Sequence, residues 1–196
     1  AQATAVLLKH GDGTTGEALK RADRRIEMAS AAPLRSGTIG AGIIGSGEFA
    51  RSVVLPALSK SRDFDLRGVA SLHGHTATHA AERFGAAYAT TDPAQMLTDD
   101  SVAAVWITTT HESHAALAIG ALEAGKHVFC EKPPGRNLRD ISQVIECERN
   151  HPDLRLKYGF NHRYHDSIRD ALKLVHSGEL GDVINLRAVY GKSKII

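Results

Sequence analysis

From Thr38 onward the chain alternates short apolar runs with stretches of helical periodicity, the order expected of a parallel sheet wrapped by helices. The runs at residues 38–44, 66–71, 87–89, 103–108, 127–130 and 155–159 are expected strands. Between them the 3.6-residue spacing of apolar positions predicts helices over about 47–59, 75–84, 93–98, 112–124 and 138–149. Gly85 and Gly125 stand where the second and fourth of these should stop. Six strands joined by five crossovers give an α/β fold with a doubly wound parallel sheet.

The two flanks read differently. Residues 1–36 form an N-terminal extension or linker. In it a Gly-Thr stretch leads to Thr14, three positions before Glu17 as in a capping box, which predicts a helix with Leu19, Ala22, Ile26 and Ala29 on one face. Pro33 and Gly37 would end it. After residue 160 one helix is expected, with Ile168, Ala171, Leu172 and Val175 on one face and Gly178 as its stop. In residues 183–190, Ile184, Leu186, Ala188 and Tyr190 alternate with Asn185, Arg187 and Val189, the pattern of a strand with one covered face. One strand is not stable alone, so residues 161–196 read as the incomplete start of a second α+β domain.

Composition narrows the partners. A chain of 196 residues that is 42% hydrophobic can bury one core of ordinary domain size. With 24 basic against 22 acidic residues there is no basic face for nucleic acid and no polybasic membrane anchor, so the expected partner is a small molecule. The longest apolar runs, 102–107 and 115–121, are far shorter than the ~20 residues of a membrane span, and no leader pattern opens the chain. Cys130 and Cys147 offer neither a disulfide framework nor zinc spacing, which fits a reducing cytoplasm and predicts no metal site.

The candidate chemistry starts at the end of the first strand, where residues 40–50 read Gly-Ala-Gly-Ile-Ile-Gly-Ser-Gly-Glu-Phe-Ala. Two registers of a dinucleotide fingerprint fit. Gly40, Gly42 and Gly45 would leave almost no strand and would place Ile43 and Ile44 inside the phosphate turn. Gly45, Gly47 and Ala50 leave a full strand before the turn and an amphipathic helix after it, so this register is taken. Gly45 then permits the tight turn, Gly47 lets the backbone approach a pyrophosphate, and Ala50 allows close packing of helix on strand. Ser46, Glu48 and Phe49 complete the turn, whose free N–H groups and helix dipole favour phosphate. A carboxylate for the ribose 2'-hydroxyl is expected at the end of the second strand. That end reads Ser71-Leu-His-Gly-His75, without an acid, which favours NADP over NAD. Arg67 and His73 are further candidates for the choice. Residues 37–160 are thus expected to form an NAD(P)-binding domain of Rossmann type.

From Thr38 to Tyr190 the chain resembles the glucose-fructose oxidoreductase, inositol dehydrogenase and rhizopine-catabolism (Gfo/Idh/MocA) family. The resemblance is carried by Gly42-Ile-Ile-Gly-Ser-Gly-Glu-Phe-Ala50 with Leu55-Pro-Ala-Leu58, by Ala121-Leu-Glu-Ala-Gly-Lys-His-Val-Phe-Cys-Glu-Lys-Pro133, and by Tyr158-Gly-Phe-Asn-His-Arg-Tyr164 with Ser177-Gly-Glu-Leu-Gly181. It implies hydride transfer between NAD(P) and a carbinol or ketone carbon of a sugar, sugar nucleotide or cyclic polyol. The family's catalytic lysine falls on Lys132, at the carboxyl edge of the sheet where ligands of such folds bind. There it would take the proton of a substrate hydroxyl. Glu131 would touch the cofactor's ribose or amide.

Thr108 would touch the cofactor, and Thr109, Thr110 and His114 would line the nicotinamide pocket, although the threonines also suit helix caps. His111 stands where the family commonly has Asn. Asn161, His162 and Arg163 would face the cleft, for substrate or for an interdomain salt bridge. Pro134-Gly-Arg136 departs from the usual Leu-Ala. The family's second-domain Asp and His would lie beyond Ile196. Residues 95–114 resemble members fused behind a zinc-type alcohol dehydrogenase module, which would account for the first 36 residues, and the family implies homo-oligomers through the C-terminal sheet. A nucleotide-binding sensor or subunit without turnover and an NAD-assisted glycosidase are the alternatives; retention of Lys132 favours chemistry.

Overall fold

The computed structural model describes residues 24–29, 31–189 and 191. Seven strands form one sheet: β1 (Arg25–Glu27), β2 (Ile39–Ile44), β3 (Phe64–Ala70), β4 (Tyr88–Thr90), β5 (Ala104–Ile107), β6 (His127–Cys130) and β7 (Leu156–Tyr158), in spatial order β1-β4-β3-β2-β5-β6-β7. Strands β2 to β7 are parallel, and the order reverses between β2 and β5, where the crevice of a doubly wound sheet opens. The crossovers carry α1 (Leu55–Lys60), α2 (Gly74–Phe84), α3 (Pro93–Leu97), α4 (His114–Glu123) and α5 (Leu138–Asn150); α6 (Asp166–His176) follows the sheet.

Each face of the sheet has its own core. Ile43 packs with Leu55, Leu58, Val69 and Ala77 on the α1 and α2 side, while Ile44, one residue on, packs with Met96, Ile107, Ala118 and Leu122 on the α3, α4 and α5 side. Strands covered on both faces read as continuous apolar runs rather than alternating ones. Two glycines of β2 exist for this packing. A Cβ on Gly42 would collide with the Met96 sulfur, and one on Gly40 with the Ser101 carbonyl. The helix after the turn begins as a π-helical segment, Ala50–Val54, in which the Leu55 N–H donates to the Ala50 carbonyl. This widened turn stands directly before Pro56, which has no N–H to continue a regular ladder.

Two expectations on the flanks are corrected. The helix expected to run through Ile26 and Ala29 gives way to β1, antiparallel to β4; its Thr14 to Ala22 part lies outside the described residues. The cause is tertiary. The edge of β4 would otherwise be unpaired, the β1 pairing continues through Met28 N–H to the Ala87 carbonyl (2.9 Å) and Thr91 N–H to the Arg24 carbonyl (3.1 Å), and the Arg25 guanidinium lies 3.6 Å from the Tyr88 ring centroid and 3.0 Å from Asp99 Oδ2. At the other flank α6 forms as expected, but residues 183–189 form no strand; Tyr190 lies outside the described residues. Among the described residues no strand lies beside them to bond their main chain, and Ile184 is 97% exposed. No helix among the described residues is long and apolar enough to cross a membrane.

Candidate functional site

The carboxyl ends of β2, β3, β5 and β6 are locked to one another by their last main-chain bonds. Gly45 N–H donates to Ala70 (2.8 Å), Thr108 N–H to Ile44 (2.9 Å) and Glu131 N–H to Ile107 (2.9 Å). The Thr108 hydroxyl adds a bond to the Gly45 carbonyl at 2.6 Å. Gly45 has φ +100°, and a Cβ there would lie 2.8 Å from the Thr108 and Thr109 main chain, so only glycine makes this turn without strain. Strand β2 runs through Ile44, so the turn starts at Gly45 and Ile43 and Ile44 stay in the ladder.

Above this edge lies a cavity of about 550 Å³, lined by Gly45, Ser46 and Gly47 of the turn, Ser71 and Leu72 after β3, Thr91 and Pro93 after β4, and Thr108, Thr109, Thr110, Ser113 and Leu117 around β5 and α4. A second cavity of about 360 Å³ lies beside it, sharing Thr108 and Thr109 and adding Phe49, His111, His114, Glu131, Lys132, Gly159 and Asn161. The first is fitted to a phosphate-bearing ligand by two features. The Ser46 hydroxyl is buried without a hydrogen-bond partner, and beyond Gly47 an added Cβ would meet no atom within 4 Å. A buried hydroxyl without a partner costs ~1–3 kcal/mol, a cost that a phosphate oxygen would remove.

In the second cavity the Glu131 carboxylate lies against Gly159, where any Cβ would overlap its Oε1. Lys132 is exposed and forms no ion pair with any described residue. His114 is fully buried; its Nδ1 lies 2.8 Å from the Pro133 carbonyl and its Nε2 3.1 Å from the Thr109 carbonyl. The Thr109 hydroxyl accepts from Ser113 at 2.7 Å. Thr110 makes no side-chain cap; its hydroxyl instead helps the exposed Glu112, whose own N–H is the larger cause, to keep its carboxyl below the usual range. Burial pushes the neighbouring Cys130 thiol up to about 12, which removes it as a nucleophile. No cluster of three or more His, Cys, Asp or Glu suited to a metal occurs among the described residues.

The structure therefore gathers Gly45, Ser46, Gly47, Ser71, Thr108, Thr109 and Thr110 at one cavity and Phe49, His114, Glu131, Lys132 and Asn161 at the adjoining one. It leaves others apart. Ala50 is buried in the α1-side core, Glu48 is exposed beside Arg51, and His162 lines neither cavity. Arg163 borders a separate depression with Tyr158, Phe160 and Tyr164. Arg67 is removed from the cofactor choice, since its guanidinium bonds the Ala32 carbonyl and Ser101 near the opposite edge of the sheet. Thr91, Pro93 and Leu117 were not anticipated. Thr91 follows the end of a parallel strand, and that position alone marks it as crevice-lining.

Comparison with known proteins agrees with this fold. The family profile described as "Oxidoreductase family, NAD-binding Rossmann fold" (GFO_IDH_MocA) matches residues 39–160. An uncharacterized oxidoreductase of Rhizobium meliloti is 32% identical over 149 residues, 76% of this chain and 44% of the relative. A myo-inositol 2-dehydrogenase of Thermotoga maritima is 31% identical over 148 residues, 76% of this chain and 42% of the relative. Among solved structures, scyllo-inositol dehydrogenase from Lactobacillus casei, with bound NAD(H) and scyllo-inositol, superposes with a TM-score of 0.69 at 30% identity, covering 74% of this chain and 43% of that one. A 3-ketoreductase from Actinomadura kijaniata, in complex with TDP-benzene and NADP, gives 0.65 at 30% identity, covering 72% and 44%. The chain thus spans less than half the length of these relatives.

Proposed function

We propose, because this chain belongs to the Gfo/Idh/MocA family of oxidoreductases, that it supplies the cofactor-binding half of an enzyme moving hydride between NAD(P) and a carbinol or ketone carbon. The observation that carries this reading is the adjacency of the two cavities: the one lined by Ser46, whose hydroxyl is unpartnered, and the one lined by Lys132 share Thr108 and Thr109.

On this reading the N–H groups of the 45–47 turn and the Ser46 hydroxyl hold the pyrophosphate, and Glu131 and Thr109 border the nicotinamide end. A bound nicotinamide supplies the hydride acceptor, or the donor in reverse. The Lys132 amine takes the proton of the substrate hydroxyl as the carbonyl forms, and as ammonium returns it to the oxygen in the reverse direction. Asn161 borders the substrate. The substrate class, a sugar, sugar nucleotide or cyclic polyol, is supported by the named activities of the relatives. Residues 161–196 are the beginning of a substrate domain, and residues 1–36 are an N-terminal extension whose Arg25–Glu27 joins the sheet as β1. Lys132→Met in the full-length protein should lower turnover by ~10² to 10⁴ and leave the affinity for NADPH and NADH within about twofold. Near-normal turnover would reduce Lys132 to a surface charge and return the reading to a nucleotide-binding subunit.

For the cofactor, NADP is favoured. Ser71 lines the cavity where an acid would repel a 2'-phosphate, and among the described residues lining it none is acidic. Ser71→Asp should shift the ratio of NADPH to NADH affinity toward NADH by roughly tenfold, the ~1.4 kcal/mol that one like-charge contact at a partly exposed site supplies. Fluorescence titration with both nucleotides reads the ratio; an unchanged ratio would move the choice to His73 and its neighbours.

A further inference from the structure

We infer that His114 is a positioning residue that ties the chain after β5 to the chain after Lys132, and through that tie sets where the Lys132 amine stands. The inference rests on the reading of Lys132 given above. His114 is the first residue of α4 and is 0% exposed. Its two ring nitrogens face two carbonyl oxygens from different loops, Pro133 at 2.8 Å and Thr109 at 3.1 Å. Carbonyls only accept, so the ring donates, through one nitrogen when neutral and through both as imidazolium. Both nitrogens face main-chain carbonyls and the side chain is fully buried, so His114 borders the second cavity without a ring nitrogen turned to a ligand.

The two loops it joins are the ones that matter. Thr109 is shared by both cavities, and Pro133 directly follows Lys132. The Thr109 loop has a second tie from the Ser113 hydroxyl, which donates to Thr109 Oγ1 at 2.7 Å. The Lys132 loop is fixed at its far end to α5, where Arg136 N–H donates to Asp140 at 3.1 Å and a Cβ on Gly135 would come within 2.6 Å of the Asp140 side chain. At the end nearer Lys132, the His114 ring holds the Pro133 carbonyl. An apolar side chain of similar volume would fill the space and leave the part-buried Pro133 and Thr109 carbonyls without a donor from the ring.

The test uses three variants of the full-length protein. His114→Phe keeps the volume and removes every ring N–H donor, His114→Asn restores an amide donor near the Nδ1 position facing Pro133, and His114→Gln restores one near the Nε2 position facing Thr109. Expected for His114→Phe is faster amide hydrogen exchange in residues 131–137 and a fall in kcat of ~10²-fold, the scale of a misplaced reacting group, with NADPH and NADH affinity within about threefold. Asn should recover turnover better than Gln, since it rebuilds the tie beside Lys132. Unchanged exchange in a folded Phe variant would overturn the tie. Faster exchange with normal kcat would overturn the positioning role if Lys132→Met is crippled; if Lys132→Met is also normal, the failure lies in the reading of Lys132 instead. Loss of cofactor binding as large as the loss of turnover would make His114 a general packing residue and overturn the inference as well.

Discussion

Helices α5 and α6 carry the same kind of apolar stripe and meet different fates. In α5, Val144 and Cys147 are buried, Cys147 in the core on the α4 side of the sheet, and Asn137 caps the helix start by accepting from Asp140 N–H. In α6, with Ile168, Leu172 and Val175 at the same helical spacing, no residue is buried. The segment after it repeats the lesson in β form: Ile184, Leu186 and Ala188 alternate like a half-covered strand, and with no strand beside them among the described residues, 183–189 form none. A hydrophobic pattern specifies which face must be covered. Whether the element gains stability from it depends on what lies opposite, because most helical stability in proteins comes from tertiary packing rather than from propensity.

The comparison breaks most plainly at a core leucine. Leu55 is 0% exposed, packed among Ile43, Val54 and Leu58 where the π-helical segment meets α1. Leu55→Ala removes that contact and leaves a cavity, so unfolding by urea should show a loss of ~2–5 kcal/mol. A loss below ~1 kcal/mol would mean that the α1 side of the sheet is packed no better than α6. Inside the body the contrast sharpens between two glycines. Gly45→Ala forces a side chain into φ +100° against the Thr108 main chain, and should cost ~1–3 kcal/mol of stability. Gly47→Val meets open space, so it should leave the unfolding midpoint nearly unchanged while abolishing detectable NADPH binding. Equal loss of stability in both variants would show that the turn is held by packing alone and is not a place kept open for a ligand.

What could be read in the sequence follows the same division. The six parallel strands and their helices were legible because short, mostly apolar runs alternate with stretches of helical spacing; His127–Cys130 came out with the bounds expected. The turn register was legible because only one choice leaves Ile43 and Ile44 in a strand. Strand β1 was not, because three residues paired to β4 leave no periodic trace, and Ile26 sits as well on a helical face as on a strand. In the site, Lys132 and the threonines were marked by motif and by their place at the strand ends. The His114 contacts were not: two carbonyls 24 residues apart in sequence, Thr109 and Pro133, meet one ring only after β5 and β6 pair.

The smallest effect is expected where the stripe has no partner. Leu172 is 44% exposed on α6, so shortening it to alanine removes little contact and opens no cavity. Alanine also has the better helix propensity, by a few tenths of a kcal/mol at most, which offsets part of what is lost. In the 196-residue chain, Leu172→Ala should therefore change the unfolding free energy by less than ~0.5 kcal/mol, the usual range for surface substitutions. Urea denaturation followed by circular dichroism, run beside Leu55→Ala under the same conditions, measures the pair. A loss of 2 kcal/mol or more at Leu172 would mean that α6 buries this face in solution, and the contrast with α5 would disappear.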